Sequence, residues 1–193
     1  MNDANANNPD GNVIFSGTKE VAENLKFDQS RLQEWLGDSL PSAGKIIDVA
    51  QFKGGQSNPT YKIITEQKEL VLRRKPPGIL LPSAHAVDRE YKVMTALKDT
   101  AVPVPQTYGL CEDEDVIGTS FFVMDFLDGG IYWDLLLEDK SLEERKAIYK
   151  SKNQVIAELH KVDYTAVGLG DYGKPGNYIA RQVSRWTKQY LAS

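Results

Sequence analysis

Residues 52–74 read FKGGQSNPTYKIITEQKELVLRR, and the rest of the chain is organised around this stretch. Apolar and β-branched residues lie on both sides of a turn that contains Gly54 and Gly55, which predicts two strands joined by a glycine turn. A short polar turn and a third strand follow, and the third strand ends in two arginines. Glycine lets the backbone adopt unusual conformations and approach a ligand closely. The stretch therefore predicts a three-stranded unit with a ligand-accessible first turn.

Polar residues complete this glycine turn. Ser57, Asn58 and Thr60 are short side chains of the turn-forming type. Successive backbone N–H groups in such a loop can point at one phosphate group. Arg73 ends the apolar run Leu70–Leu72, where a fixed cation can meet the same phosphate. A plain β-hairpin with a glycine turn explains the same residues without any ligand, since short motifs often match by chance.

Composition limits the classes of function. The chain has 193 residues, 41% of them hydrophobic, with a net charge of −4, which argues against a nucleic-acid or anionic-membrane surface. Cys111 is the only cysteine, so an intrachain disulfide and a cysteine-rich metal site are excluded. No stretch reads as a transmembrane span or a targeting peptide, and we expect a cytoplasmic protein. Residues 1–24, rich in Asn, Asp and Gly at their start, are predicted to form a disordered tail.

The order of predicted elements indicates an α+β fold. A short helix capped by Asp28 precedes the three strands, and a helix over residues 84–98, capped by Ser83, follows them. Two more strands are predicted at residues 106–111 and 120–126, with an acidic turn between them. After the short first helix, the chain up to residue 126 thus contains five strands, with one helix inserted between the third and the fourth. Residues 127–193 are predicted to form a hinge and helices, one of which begins with a capping box at Ser141 and Glu144.

Glu90 is unusual within the predicted helix 84–98. Val87, Glu90, Met94 and Leu97 share one face, so a carboxylate lies on an apolar stripe. Burial of an unpaired charge is costly, and Arg73 at the end of the neighbouring strand is a suitable partner. The alternative is that Glu90 lies at the edge of the stripe and is solvated.

This order of motifs resembles the amino-terminal lobe of the protein-kinase-like fold, which implies a lobe over residues 25–126 with a five-stranded antiparallel sheet and one helix. It is most similar to the aminoglycoside phosphotransferase family, in the subgroup related to the kinase-like domain of acyl-CoA dehydrogenase fusion proteins. The resemblance extends over most of the chain from Leu25 onward. It is carried by QFKGGQSNPTYKI (51–63), LVLRRKPPG (70–78), HAVDREYKVMTAL (85–97), VPVPQTYGLCED (102–113), IGTSFFVMDFLDG (117–129), LHKVD (159–163) and VGLGDYGKPGNYIARQVSRW (167–186).

The resemblance implies an ATP-dependent phosphotransferase that transfers a phosphoryl group to a small-molecule hydroxyl. It places Arg73 where most kinases have a lysine and pairs Arg73 with Glu90, while the backbone at residues 124–126 would bind adenine. The loop sequence GGQSN departs from the G-x-G-x-x-G pattern. The nucleotide-binding residues implied are Gly54, Gly55, Gln56, Ser57, Asn58, Arg73, Glu90, Met124, Asp125 and Phe126.

The motifs for catalysis and metal binding are missing from the sequence. Kinases use an H-x-D-x-x-x-x-N loop for proton transfer and for magnesium, but Val87 and Val162 follow the two histidines at the aspartate position. Asp171-Tyr172-Gly173 imitates the D-F-G metal motif, and we interpret it as a decoy because no catalytic loop precedes it. No catalytic or metal-binding residue is therefore assigned. We expect the chain to be truncated before the catalytic loop, with Mg²⁺ used only in the complete enzyme.

Two functional hypotheses follow. In the first, the sequence belongs to a small-molecule kinase whose partners are a nucleotide and a hydroxyl substrate, and this chain alone is catalytically incomplete. The family's acceptors include aminoglycosides, choline-like alcohols and hydroxyacyl groups, and the sequence does not select among them. In the second, the chain is a non-catalytic nucleotide-binding or partner-binding module. An exposed core stripe in the last helices would then support self-association through the incomplete helical lobe.

Overall fold

The computed structural model describes residues 16–54, 57–78, 85–132, 134–174 and 176–192. The strands are β1 Thr18–Lys19, β2 Ile46–Phe52, β3 Thr60–Thr65, β4 Glu69–Arg74, β5 Thr107–Cys111 and β6 Phe121–Asp125. The helices are α1 Gln29–Ser39, α2 Val87–Leu97, α3 Glu114–Ile117, α4 Leu142–Lys161 and α5 Tyr178–Ala192. Among the described residues the strands form one antiparallel sheet in the order β1-β2-β3-β4-β6-β5.

The sheet confirms the five predicted strands and adds a sixth. Strand β1 pairs Thr18 with Phe52 and Lys19 with Gln51, at the outer edge of β2. It lies within residues 1–24, which were predicted to form a disordered tail. Two polar residues are too few to show the alternation that predicts a strand. The structure also differs from the prediction at residues 112–115. An acidic turn was predicted there, but Asp113 caps the one-turn helix α3.

Helix α1 covers one face of the sheet. The predicted cap is confirmed, because the Asp28 side chain accepts hydrogen bonds from the N–H groups of Ser30 and Arg31. Leu32 and Leu36 are buried and point from α1 into the core. The sheet residues of this core alternate along their strands, as expected for side chains on one face. They include Val49, Tyr61, Ile63, Leu70, Leu72, Phe121 and Val123.

Helix α2 covers the opposite face, against β5 and β6. The Tyr91 and Phe122 rings lie 6.0 Å apart, and the hydroxyls of Thr95 and Thr107 are 2.7 Å apart. The helix begins at Val87 rather than at residue 84 as predicted, and its N-cap residue Ala86 offers no side-chain hydrogen bond. The predicted cap Ser83 lies outside the described residues.

Helices α4 and α5 follow the sheet. The capping box of α4 is confirmed, with Ser141 and Glu144 bonded to each other's backbone N–H groups. On α4, apolar residues are only partly covered by the described part of the chain: Ile148 and Val155 are half-buried, and Leu159 is 45% exposed. Helix α5 likewise exposes large apolar side chains. Across the described ranges, no helix is both long enough and apolar enough to cross a membrane.

Candidate functional site

Arg73 and Glu90 form an ion pair between β4 and α2. Arg73 Nε lies 2.5 Å from Glu90 Oε2, and Arg73 Nη2 donates to Glu90 Oε1 at 3.3 Å. The two side chains are 25% and 32% exposed, so both are partly shielded from water. The predicted pair is confirmed, and the alternative of a solvated Glu90 is wrong.

The sheet determines which of the two arginines enters this site. Strand β4 is central, with Arg73 opposite Thr60 on β3 and opposite Phe122 on β6. Because side chains alternate across a strand, Arg73 points to the α2 face and Arg74 points into the α1 face. Burial lowers the pKa of Arg74, whose Nε donates to Thr119 Oγ1 at 3.0 Å. Arg74 is therefore a structural cation that cannot reach a ligand on the α2 face.

Three more side chains extend the ion pair into a network. Arg73 Nη1 donates to Thr60 Oγ1 at 3.0 Å, and Thr60 Oγ1 donates to the Asn58 carbonyl at 3.0 Å. Asn58 Nδ2 donates to Glu90 Oε1 at 2.9 Å. His85 Nδ1 lies 2.8 Å from Asn58 Oδ1. The end of the glycine turn is thus joined directly to the start of α2.

The network fixes the orientation of its members. An ionised Glu90 only accepts hydrogen bonds, so the Asn58 amide nitrogen must face it and the Asn58 amide oxygen must face His85. His85 Nδ1 therefore carries the proton. Asn58 is 4% exposed and its amide is used within the network. A contact between the Asn58 backbone N–H and a phosphate stays a prediction.

Arg73 keeps donors for a ligand. A guanidinium has five N–H groups, and its bonds to the described residues Glu90 and Thr60 use three of them. One N–H on each terminal nitrogen is left, on a side chain that is 25% exposed. Glu90 and Thr60 fix the guanidinium, and the two remaining N–H groups can donate to an anion.

The glycine turn is only partly described. Gly54 is half-buried just after β2. Ser57 is exposed and lies three residues before Thr60, where β3 begins and pairs with Arg73. Gly55 and Gln56 lie outside the described residues. The expectation that backbone N–H groups of this turn bind phosphate stays a prediction.

The predicted hinge, residues 124–126, is tied to neighbouring strands. The N–H of Asp125 donates to the Gln106 carbonyl at 2.9 Å, and the N–H of Phe126 donates to the Glu69 carbonyl at 3.4 Å. Tyr108 Oη donates to Asp125 Oδ1 at 2.5 Å. An adenine ring at this position would therefore need other groups than these two amides.

Two residues that the sequence analysis did not assign line the same face. The Phe52 and Phe126 rings are stacked with centroids 6.2 Å apart, and Lys62 Nζ lies 4.2 Å above the Phe126 ring. Lys62 also pairs with Glu69 at 2.7 Å. The alternation along β3 could have identified Lys62 from the sequence. Lys62 lies between the buried residues Tyr61 and Ile63 and must therefore point to the opposite face of the sheet. Side chains alternate along β6 and the residue that follows it, so Met124 lies on this face together with Phe122 and Phe126.

The Asp171-Tyr172-Gly173 segment lies against α2. Lys92 Nζ is 2.8 Å from Asp171 Oδ1, and this hydrogen bond lowers the pKa of the Asp171 carboxyl. Within the described residues no group of three or more His, Cys, Asp or Glu side chains is arranged to bind a metal ion. The carboxylate that imitates the D-F-G aspartate is thus paired with a lysine.

Comparisons with known proteins agree with the architecture. The sequence profile of the phosphotransferase enzyme family matches residues 48–193. A solved structure from Ralstonia eutropha, described as a "putative aminoglycoside phosphotransferase", is 50% identical with a TM-score of 0.75. The match covers 86% of this chain and 48% of that chain. It confirms a kinase-like aminoglycoside phosphotransferase fold.

Two curated relatives are much longer proteins. Acyl-CoA dehydrogenase family member 10 of Mus musculus is 46% identical over 178 residues, which are 91% of this chain and 17% of that protein. Acyl-CoA dehydrogenase family member 11 of Homo sapiens is 41% identical over 185 residues, which are 92% of this chain and 24% of that protein. The chain thus spans less than a quarter of the length of these relatives. Because the family profile covers most of its residues, the chain belongs to the phosphotransferase enzyme family.

Proposed function

We propose that this chain is the nucleotide-binding part of an ATP-dependent phosphotransferase. The terminal phosphoryl group of ATP would be transferred to a hydroxyl group of a small molecule. Family membership supports the phosphotransferase class, and the use of ATP and the kind of acceptor are our inference. The 193-residue chain contains no H-x-D-x-x-x-x-N motif, so we expect it to bind nucleotide without transferring phosphate.

The arrangement of Arg73 carries this proposal. Its guanidinium is fixed by Glu90 and Thr60 next to the end of the glycine turn, and it keeps N–H groups for an anion. Charge-assisted hydrogen bonds from arginine to phosphate are short and strong, and a bidentate arrangement adds geometric specificity. A phosphate group placed there would meet a preorganised cation. Glu90 would act by holding Arg73 rather than by touching the nucleotide.

The described residues fit a nucleotide better than they fit a metal ion. The α2 face offers the Arg73 cation and, further along the sheet, the apolar surface of Val71, Met124 and Phe126. In kinases magnesium neutralises phosphate charge. In the part of the chain that the structure describes, no cluster of suitable ligands exists for magnesium. We therefore assign nucleotide binding to these residues and no step to a metal.

Calorimetric titration with ATP and ADP, with and without magnesium, tests the proposal. We expect weak binding that differs little between the two nucleotides and depends little on magnesium. Arg73→Ala should lower the affinity by at least about tenfold, since a hydrogen bond to a charged group contributes about 1.5–3 kcal/mol. Arg73→Lys keeps the cation and should retain more of the affinity than Arg73→Ala.

Arg185→Ala is the matched control, because Arg185 is an exposed arginine on α5. It should leave the affinity unchanged. Thermal unfolding of each variant separates loss of binding from loss of fold. The proposal would be contradicted if no nucleotide binds, or if Arg73→Ala binds as tightly as the unmodified chain.

The second candidate function is a non-catalytic module that binds a nucleotide or a protein partner. Exposed apolar side chains on α5, such as Val183 and Trp186, favour it. Neither candidate predicts phosphate transfer by this chain itself, and an H-x-D-x-x-x-x-N motif encoded after Ser193 would favour the first. Incubation of the chain with ATP and a panel of small alcohols should give no phosphorylated product above background, and a product would show that the catalytic groups are present.

A further inference from the structure

Helix α2 is contacted from a second direction, away from the ion pair. Arg89 and Lys92 are three residues apart and therefore lie next to each other on the exposed surface of the helix. Both contact residues 171–172, which we call the clamp segment. Glu90 lies between them in sequence and points to Arg73 instead. One helical turn thus joins the ion pair to the clamp segment.

Three different interactions connect the clamp segment to α2. Lys92 Nζ pairs with Asp171 Oδ1 at 2.8 Å. Arg89 Nη2 donates to the Tyr172 carbonyl at 2.9 Å, and the Arg89 guanidinium carbon lies 3.9 Å from the centre of the Tyr172 ring. An ion pair, a hydrogen bond and a cation–π contact therefore converge on two successive residues.

The clamp segment is itself held by a series of turns that follow α4. The Asp163 carboxylate accepts hydrogen bonds from the N–H groups of Thr165 and Ala166. Leu169 N–H donates to the Tyr164 carbonyl at 2.7 Å, and Tyr172 N–H donates to the Leu169 carbonyl at 3.0 Å. The end of α4 therefore determines where the clamp segment lies.

The start of α2 has backbone hydrogen bonds, with Val87 N–H donating to the His85 carbonyl at 2.9 Å, but it has no side-chain cap. Its N-cap residue, Ala86, offers no side-chain hydrogen bond, so one or more of the first N–H groups of the helix have no side-chain cap. Helix α2 packs on β5 and β6, and Glu90 is anchored by Arg73 and Asn58. The contacts of Arg89 and Lys92 add an anchor on the outer surface of the same turn.

We propose that the clamp segment positions α2, so that Glu90 holds Arg73 in place for the phosphates of a nucleotide. The last clause rests on the proposed function. Arg89, Lys92, Asp171 and Tyr172 are then positioning residues, and the Asp171 carboxylate serves as an anchor for a lysine rather than as a metal ligand. This gives a role to the D-F-G-like motif, which the sequence analysis treated as a decoy.

Charge reversal tests the clamp in the full 193-residue chain. Lys92→Asp and Asp171→Lys should each weaken ATP binding about two- to fivefold, equally with and without magnesium. The double variant restores opposite charges and should return to within about twofold of the unmodified affinity. Asp99→Lys makes the same charge change at an exposed site just beyond α2 and should have no effect.

Hydrogen exchange provides a readout that does not depend on the nucleotide. Each single reversal should speed amide exchange in residues 87–97 and leave residues 29–39 of α1 unchanged, and the double variant should restore protection. Exchange in α2 that is identical in the unmodified chain and in Asp171→Lys would overturn the clamp. A loss of affinity in Asp171→Asn that is seen only with magnesium would also overturn it, in favour of a metal ligand. Absence of ATP binding in the unmodified chain would instead refute the proposed function, and the exchange experiment would still decide whether the clamp exists.

Discussion

Asn58 shows how a single buried amide can set the geometry of a site. Its side chain donates to Glu90 and accepts from His85, so it links the end of the glycine turn to the start of α2, about 30 positions along the chain. Glu90 thereby receives hydrogen bonds from both Arg73 and Asn58, on a carboxylate that is about one-third exposed. Such multiple donation restricts the rotation of the carboxylate. The ion pair is thus part of a network and not an isolated surface contact.

Glu90→Gln tests the energy of this network at the level of one residue. The change keeps the shape of the side chain but leaves Arg73 without an anion. We expect a loss of about 1–2 kcal/mol in the free energy of unfolding, between the small contribution of exposed pairs and the larger cost of breaking buried ones. Urea denaturation with the linear extrapolation measures it.

The control for Glu90→Gln is Asp88→Asn, which removes a half-buried carboxylate from the same first turn of α2. It should cost only a few tenths of a kcal/mol, through the helix dipole. Equal losses in the two variants would show that the pairing of Glu90 with Arg73 adds nothing to stability.

At the level of elements, the sequence predicted what depends on local patterns. Alternation and glycine or proline punctuation located five strands, and the Asp28 cap and the Ser141–Glu144 box located the starts of two helices. The start of α2 was misplaced because Ala86 gives no capping signal. Strand β1 was missed because two residues are too short for a pattern.

Part of the site was predictable from the sequence, because local patterns mark some of its residues. Arg73 and Glu90 were identified because a strand end and a helical stripe placed them near each other. His85 bonds Asn58 across 27 positions, and Lys92 bonds Asp171 across 79 positions. No local pattern marks such partners, since they meet only when the chain is folded. The resemblance to a family supplied the nucleotide-binding role, which the residues alone left open.

Strand β5 and helix α1 make a close contact that two glycine substitutions can measure. A Cβ built on Gly109 would lie 3.1 Å from the Trp35 ring, whereas a Cβ on Gly37 in α1 would have no atom within 4 Å. Trp35 packs edge-on against Phe121 at 4.8 Å, so it has little freedom to move. We expect Gly109→Ala to destabilise the fold by about 1–3 kcal/mol through overpacking.

Gly37→Ala is the matched substitution in open space. It should stabilise the fold by about 0.5–1 kcal/mol, because alanine is the better helix former. Thermal unfolding of both variants gives the comparison. Opposite signs are expected, and a neutral or stabilising Gly109→Ala would mean that Trp35 moves aside easily.

For the molecule as a whole, the distribution of apolar surface is uneven. The sheet with α1 buries most of its apolar residues, while α5 exposes Ile179, Val183 and Trp186. These residues are spaced four and three apart, so they form one stripe along the helix. Basic residues such as Arg181, Arg185 and Lys188 occupy other positions of the same helix. An amphipathic helix of this kind is expected to bury its apolar stripe against another surface.

We therefore expect the 193-residue chain to self-associate through the α5 stripe, with a second copy covering it. Sedimentation equilibrium should show an average mass above 21.6 kDa that rises with protein concentration. Val183→Lys and Trp186→Lys together place two charges on the stripe and should shift the chain towards the monomer. Lysine is a good helix former, so α5 itself should be retained.

Ile47→Lys is the control for this prediction, because Ile47 on β2 is 66% exposed, similar to Trp186 at 65%. Its replacement adds the same charge outside the stripe and should leave the association unchanged. If the unmodified chain sediments as a monomer at all concentrations, the exposed stripe does not bind a second copy. If Ile47→Lys dissociates the assembly as strongly as the double variant does, contact between copies depends on general surface hydrophobicity and not on α5.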